Sequence, residues 1–235
     1  FSNTTASNNT AVGYRAGHSN TTGLYNVALG ANALDASTTA NSNVGVGFNA
    51  LGTTTTGAEN IAIGTNAMLA NTTGASNVGI GTYALNANTT ASNNTAVGYQ
   101  ALYVNTTGYS NTAVGYQSLD SNTTGAGNST FGHGAGAGNT TGTNINIFGI
   151  NAGLSSTTAN NITALGSDTL RNNPASNIAA FGSGALYTNT TGTGNTALGP
   201  SAYGATQGPL GLNTTGNYNT AVGMQALLSN TTASY

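Results

Sequence analysis

One interval governs this chain. Glycines recur every 17 residues, at Gly13, Gly30, Gly47, Gly64, Gly81, Gly98, Gly115, Gly132, Gly149 and Gly166, nine equal steps in succession. Gly182, Gly199 and Gly223 follow at steps of 16, 17 and 24. A period this strict marks a repeat architecture, in which each copy is too small to bury an apolar face and is completed by its neighbours. The 235 residues therefore read as one repeat array of 13 copies over 1–235. One copy is a residue short, and one carries an irregular insert near 204–212, around Gln207-Gly208-Pro209-Leu210. Phe1-Ser2-Asn3-Thr4-Thr5-Ala6 and Ser229-Asn230-Thr231-Thr232-Ala233 occupy equivalent phases, so the array is expected to be a fragment of a longer fibre.

Three columns appear when the copies are aligned on the glycine. The residue before it is always apolar: Val12, Leu29, Val46, Ile63, Ile80, Val97, Val114, Phe131, Phe148, Leu165, Phe181, Leu198 and Val222. The residue four places after it is Leu or Met, except at Gly17, Gly136, Gly153 and Tyr203. An asparagine column (Asn9, Asn26, Asn43, Asn60, Asn77, Asn94, Asn111, Asn128) stands four places before it. In Thr-Ala-Val-Gly-Tyr small and large residues alternate with period two, a strand pattern. Recurring Gly, Asn and Thr disfavour helix. Seventeen residues suffice for one coil of a parallel β-solenoid: a short strand, a turn, a second short strand, and an Asn-Thr-Thr-Gly turn. The fold expected is all-β, a β-roll of about 13 coils. Stacking would turn the apolar columns into a thin core and the asparagine column into an amide ladder.

Composition narrows the function. Only six residues are charged, Arg15, Arg171, Asp35, Glu59, Asp120 and Asp168, and Cys, Lys and Trp are absent. Two arginines cannot make the basic surface that nucleic acid requires. Without Cys there are no disulfides, thiol redox centres or zinc fingers. No apolar run reaches the length of a membrane-spanning helix, so this segment is not expected to insert. Thr, Asn, Ala and Gly dominate the chain, yet it is not expected to be disordered, because its apolar residues keep a fixed phase in the repeat.

The run Asn94-Thr95-Ala96-Val97-Gly98-Tyr99-Gln100-Ala101-Leu102 resembles the repeat of YadA-like heads in trimeric autotransporter adhesins, and repeats in the shafts of phage-type fibres. The likeness covers essentially the whole chain. It implies a left-handed parallel β-roll packed as a trimer. The repeat here is longer than that family's, and the Asn-Thr-Thr-Gly turn absorbs the difference.

Reactive chemistry finds few residues to use. Gly132-His133-Gly134-Ala135-Gly136-Ala137-Gly138 looks like a phosphate loop, but it lacks the Lys-Ser/Thr ending, opens no helix and falls in repeat phase. Calcium-binding β-rolls need an Asp in every turn, and there are three in all. Asp35 and Asp120 share a column five coils apart, about 24 Å at the strand spacing, too far for the paired carboxylates of a glycosidase. His18 and Asp35 fall on adjacent coils, where a surface hydrogen bond is expected rather than a catalytic dyad. No catalytic, metal or cofactor residue is therefore assigned, and no enzyme activity is expected. Tyr14, Tyr99 and Tyr116 are read as packing residues, with sugar stacking as the other use of such rings.

These features point to a non-enzymatic structural fibre or adhesin shaft, extracellular, on a cell surface or in a virion appendage. Its expected partner is itself, as a trimer or an end-to-end fibril, with surface glycans as a further partner. One alternative is an ice-binding solenoid, based on the Thr-Thr columns such as Thr21-Thr22 and Thr72-Thr73. Another is a monomeric solenoid stacking as a glycosylated fibril. The Val/Ile column is expected to form the core, and the Ala/Gly column beside it (Ala11, Ala28, Gly45, Ala62, Gly79, Ala96, Ala113) to face partner chains. Asn-x-Ser/Thr acceptors recur in the turns, and Asn20, Asn71, Asn105, Asn122, Asn139, Asn189 and Asn213 are expected to project outward and carry any sugar. The ladder asparagines, such as Asn94 and Asn111, are not.

Overall fold

The computed structural model describes residues 5–202 and 205–234, which leaves Asn3 and Tyr203 outside the described residues. It is all-β, a solenoid in which each repeat contributes one strand. The chain divides into two compact units, residues 1–114 and 115–235, with the boundary falling inside one repeat motif.

The first unit holds β1 (Thr10–Val12), β2 (Val27–Leu29), β3 (Val44–Val46), β4 (Ile61–Ile63), β5 (Val78–Ile80), β6 (Thr95–Val97) and β7 (Thr112–Val114). They pair in sequence order, parallel and in register, so that Ala28 lies beside Gly45 and Gly45 beside Ala62. The second unit holds β8 (Ser129–Phe131), β9 (Ile145–Phe148), β10 (Ile162–Leu165), β11 (Ile178–Phe181), β12 (Thr196–Leu198) and β13 (Thr220–Val222), paired in the same way.

The second strand expected in each coil does not form. After the glycine every second residue is left-handed, as at Asn32 (φ 57°) and Leu34 (φ 51°). Its amides nevertheless reach neighbouring coils: Asn32 N–H donates to Tyr14 O at 2.8 Å, and Leu34 N–H to Ala50 O at 3.0 Å. The glycine that sets the period is needed for two reasons. Gly30 has φ 129°, which L-residues rarely adopt, and a Cβ there would lie 2.6 Å from the Gly47 carbonyl oxygen.

The core sits between the strand and the segment after the glycine. Leu34, Leu51, Met68, Leu85, Leu102, Leu119, Leu170 and Leu186 are fully buried, each in the left-handed conformation. That conformation costs about 1–2 kcal/mol, which burial of a leucine, about 1.5–3 kcal/mol, offsets. Gly17, Gly136 and Gly153 break this column where the backbone is equally left-handed (φ 58–62°). Tyr203, the fourth exception by count, lies outside the described residues. The long repeat takes up its extra residues between Pro200 and Pro209, and buried Leu210 fills the column, its N–H donating to Ala226 O at 3.0 Å. The short repeat loses its residue in the turn, where Asn173 Nδ2 donates to Ala175 O two residues on, instead of three.

Strand orientation reverses the expectation. Ala28, Ala62, Ala96 and Ala113 are at most 2% exposed within a single chain, whereas Val12, Leu29, Ile63 and Ile80 are 36–57% exposed. The leucines already occupy the space behind the strand, so only Ala or Gly fits there and the larger residues turn outward. Second-unit coils support this reason. Opposite Gly136 the strand residue is Thr130, and opposite Gly153 it is Ile147, both fully buried. Large and small exchange places within the coil.

Candidate functional site

The surface most distinct from ordinary protein exterior is the outer face of the strands. In the first unit each strand points two residues outward, among them Val44 and Val46, Ile61 and Ile63, and Val78 and Ile80. Parallel in-register pairing sets like residues above one another, about 4.8 Å apart, and neither column contains a charge. In the second unit the equivalent column carries Phe131, Phe148, Leu165, Leu198 and Val222, each at least 36% exposed. There the Phe131 and Phe148 rings stack with centroids 4.7 Å apart.

The residues assigned to a partner face by sequence lie elsewhere. Ala28, Gly45, Ala62, Gly79, Ala96 and Ala113 line the interior, and Ala11 is half-buried. They cannot meet another chain without opening the coil.

The turn asparagines are likewise corrected. Asn71, Asn105, Asn122, Asn139, Asn189 and Asn213 have no exposure, and Asn20 has 6%. Each side chain turns inward and donates to the carbonyl of the turn's closing Gly, for example Asn105 Nδ2 to Gly108 O at 2.9 Å. The amides also bond one another, Asn105 Nδ2 to Asn88 Oδ1 at 3.1 Å and Asn213 Nδ2 to Asn189 Oδ1 at 2.7 Å. The same Asn-Thr-Thr-Gly chemistry that writes an acceptor pattern commits its asparagine to the interior. A sugar there is incompatible with the folded coil.

The strand-start asparagines form the ladder expected of them. Asn94 N–H donates to Asn77 Oδ1 at 2.9 Å, its Oδ1 accepts from Asn111 N–H at 2.9 Å, and its Nδ2 donates to Gly108 O at 2.9 Å. Two amide ladders thus run inside the coils, one more than sequence reasoning found. The Asn-to-Gly spacing of three within each turn was the available signal.

The Thr-Thr pairs divide their labour. Thr21, Thr38, Thr55 and Thr72 donate their hydroxyls to carbonyls of the next coil at 3.0–3.2 Å. From Thr21-Thr22 to Thr140-Thr141 only the second residue of each pair is exposed, so these coils offer one hydroxyl in a single file, whereas both residues are exposed at Thr157-Thr158 and Thr190-Thr191. Tyr99 packs edge-on against Tyr83, with centroids 6.3 Å apart, and Tyr116 stacks on His133 at 5.0 Å. Tyr14 is 74% exposed.

Four of the six charged side chains pair with one another at the surface. Arg15 grips Asp35 in a fork, Nη2 to Oδ2 at 2.9 Å and Nε to Oδ1 at 3.2 Å. The hydrogen bond to Asp35, and then its charge, hold the Arg15 guanidinium protonated more firmly than usual. His18 Nδ1 lies 3.8 Å from Asp35 Oδ1 and makes no hydrogen bond with it, so Arg15 takes the place His18 was expected to hold. Arg171 Nη1 meets Asp168 Oδ1 at 2.6 Å. Among the described residues no three His, Asp or Glu side chains come together as a metal site would need.

Comparison with protein-family models, curated proteins and solved structures returns no match.

Proposed function

We propose that this chain is a structural shaft, non-enzymatic, extracellular or part of a surface or virion appendage, that associates with copies of itself through the outer strand face. One observation carries the reading: a regular, uncharged strand face with one unbroken apolar column, Val12 to Val222, left outward by a fold whose interior is already filled. Large exposed apolar patches mark interaction surfaces. A rank of large apolar side chains repeating at the strand spacing matches best a surface with the same repeat, and a second copy supplies that in full. Interdigitation of like ranks from facing sheets is the packing of a steric zipper. A surface nearly without charge offers little to oppose it.

Sedimentation velocity tests the proposal. The unmodified chain should sediment as an oligomer. Ile61→Lys with Ile63→Lys should give a monomer of unchanged circular dichroism, because both side chains point away from the core. A monomeric unmodified chain, or an oligomer indifferent to these lysines, would refute the proposal.

A further inference from the structure

Five residues after each glycine, successive coils of the first unit carry His18, Asp35, Gly52 and Leu69. Gly52 interrupts a line of large side chains, and an open cleft of about 490 Å³ lies there. Asp35, held by Arg15, forms one wall and Leu69 the other. Asn32 and Asn49 edge the cleft, with Asn32 Nδ2 donating to Asn49 Oδ1 at 3.0 Å. The gap from Asp35 to Leu69 spans two coil steps, about 10 Å at the strand spacing.

The backbone conformation does not demand glycine here: Gly52 is outside the left-handed region, and an added Cβ would lie 3.1 Å from the flexible Leu69 Cδ1 and 3.2 Å from the Asn49 carbonyl oxygen. Other coils place Tyr103, Asp120, Leu154 and Arg171 at this position. Other coils thus seat a side chain at this position, and its absence at Gly52 leaves the cleft open.

We propose that this cleft binds a neutral sugar ring. The Arg15 and Asp35 charges cancel, so the cleft has no net attraction for an anion or a cation. The pair still has N–H donors and carboxylate lone pairs to spare, which is what adjacent hydroxyls need. The Asn32 and Asn49 amides add polar edges, and Leu69 offers an apolar wall to the C–H face of a pyranose. Ligand sites commonly combine such an apolar surface with a few placed polar groups. The outer strand face takes no part in this site, so its assembly state and sugar binding fail or succeed separately.

The test is saturation-transfer NMR on the full chain with methyl glycosides of glucose, galactose and mannose, and with glucuronic acid as the charged control. At least one neutral glycoside should bind in the millimolar range. Gly52→Tyr, which copies the residue found at Tyr103, should weaken it about tenfold or more with an unchanged melting temperature. Arg15→Ala, at an exposed position, should weaken it likewise and keeps the test open if Gly52→Tyr fails to fold. No binding by any neutral glycoside, binding by glucuronic acid alone, or binding unaffected by the substitutions would overturn the assignment.

Discussion

The coils of β2–β7 and those of β9–β11 solve the same problem differently. In the first group an asparagine precedes each strand, and its amide carries hydrogen bonds from coil to coil: Asn60 N–H to Asn43 Oδ1 at 2.9 Å, Asn77 N–H to Asn60 Oδ1 at 3.0 Å. In the second group that position is Ile145, Ile162 and Ile178, buried and without polar atoms. Their backbone amides still find partners. Ile162 N–H donates to Asn144 O at 3.3 Å and Ile178 N–H to Asn161 O at 3.2 Å, which lengthens these strands to four residues. At the junction Ile145 N–H accepts the older arrangement, donating to Asn128 Oδ1 at 3.0 Å. The solenoid thus holds either an amide or a hydrocarbon at this position, in runs of matching layers that change at Asn128–Ile145 and Ile178–Asn195.

The largest effect should come from breaking that match. Asn94→Ile leaves the Asn111 N–H and the Gly108 carbonyl without their Asn94 partners, and two buried unpaired groups cost about 2–6 kcal/mol together. Ile162→Asn should be comparably harmful, since it buries an amide in a layer that has no ladder. Converting Asn77, Asn94 and Asn111 to Ile together should cost less per site than Asn94→Ile alone, read from denaturant midpoints. Strict additivity would mean that coils do not couple through this position.

A smaller effect probes the exchange of large and small residues. Ala96→Ile forces a second bulky side chain against Leu102, and overpacking of this kind costs about 1–3 kcal/mol. Adding Leu102→Gly should recover part of the loss, reproducing the Ile147 and Gly153 pairing. The first coil supplies the converse. Ala11 faces Gly17, both small, and a gap of about 30 Å³ lies beside them, with Ala28 and Leu34 on its wall. Ala11→Ile should fill it and raise stability by about 1 kcal/mol. A loss at that position would show that the exchange rule fails in this coil.

The smallest effect concerns charge. Burial raises the Asp120 carboxyl above its ordinary value of 3.8, against the lowering from Ser121. Its ionised form is therefore penalised in the folded state. That cost is absent below the ordinary value, where both states are protonated, and sets in as pH rises through the raised folded value. Asp120→Asn should raise the melting temperature slightly at neutral pH, by an amount within about 0.5 kcal/mol, and leave it unchanged in acid below the ordinary value. A gain that grew on acidification would contradict the sign.

Periodicity made the architecture legible before any coordinates. Glycine every 17 residues, a leucine four places later and an asparagine four places earlier are each tied to a backbone or packing need repeated coil after coil. The face of the strand was not legible that way. Alternation with period two separates Ala96 from Val97 but does not say which points inward, since both are apolar. The answer lay in Leu102, six residues from Ala96, which fills the interior by folding back over the strand. The pairs Thr130 with Gly136 and Ile147 with Gly153 held that information in the sequence, as exceptions in two columns that had to be read together.

The turn asparagines mark the other boundary. Asn-Thr-Thr-Gly announces a turn, and the chain duly turns there. Whether Asn105 projects or retreats depends on the Gly108 carbonyl and the Asn88 amide that receive it, and stacking alone brings Asn88 within reach. The cleft at Gly52 has the same origin: one small residue in a column becomes a cavity only when the coils on either side supply its walls. Local order repeats with the sequence and can be read from it. Which side chains share an interior, and which gaps between coils stay open, depends on contacts 17 residues apart, and those exist only once the coils stack.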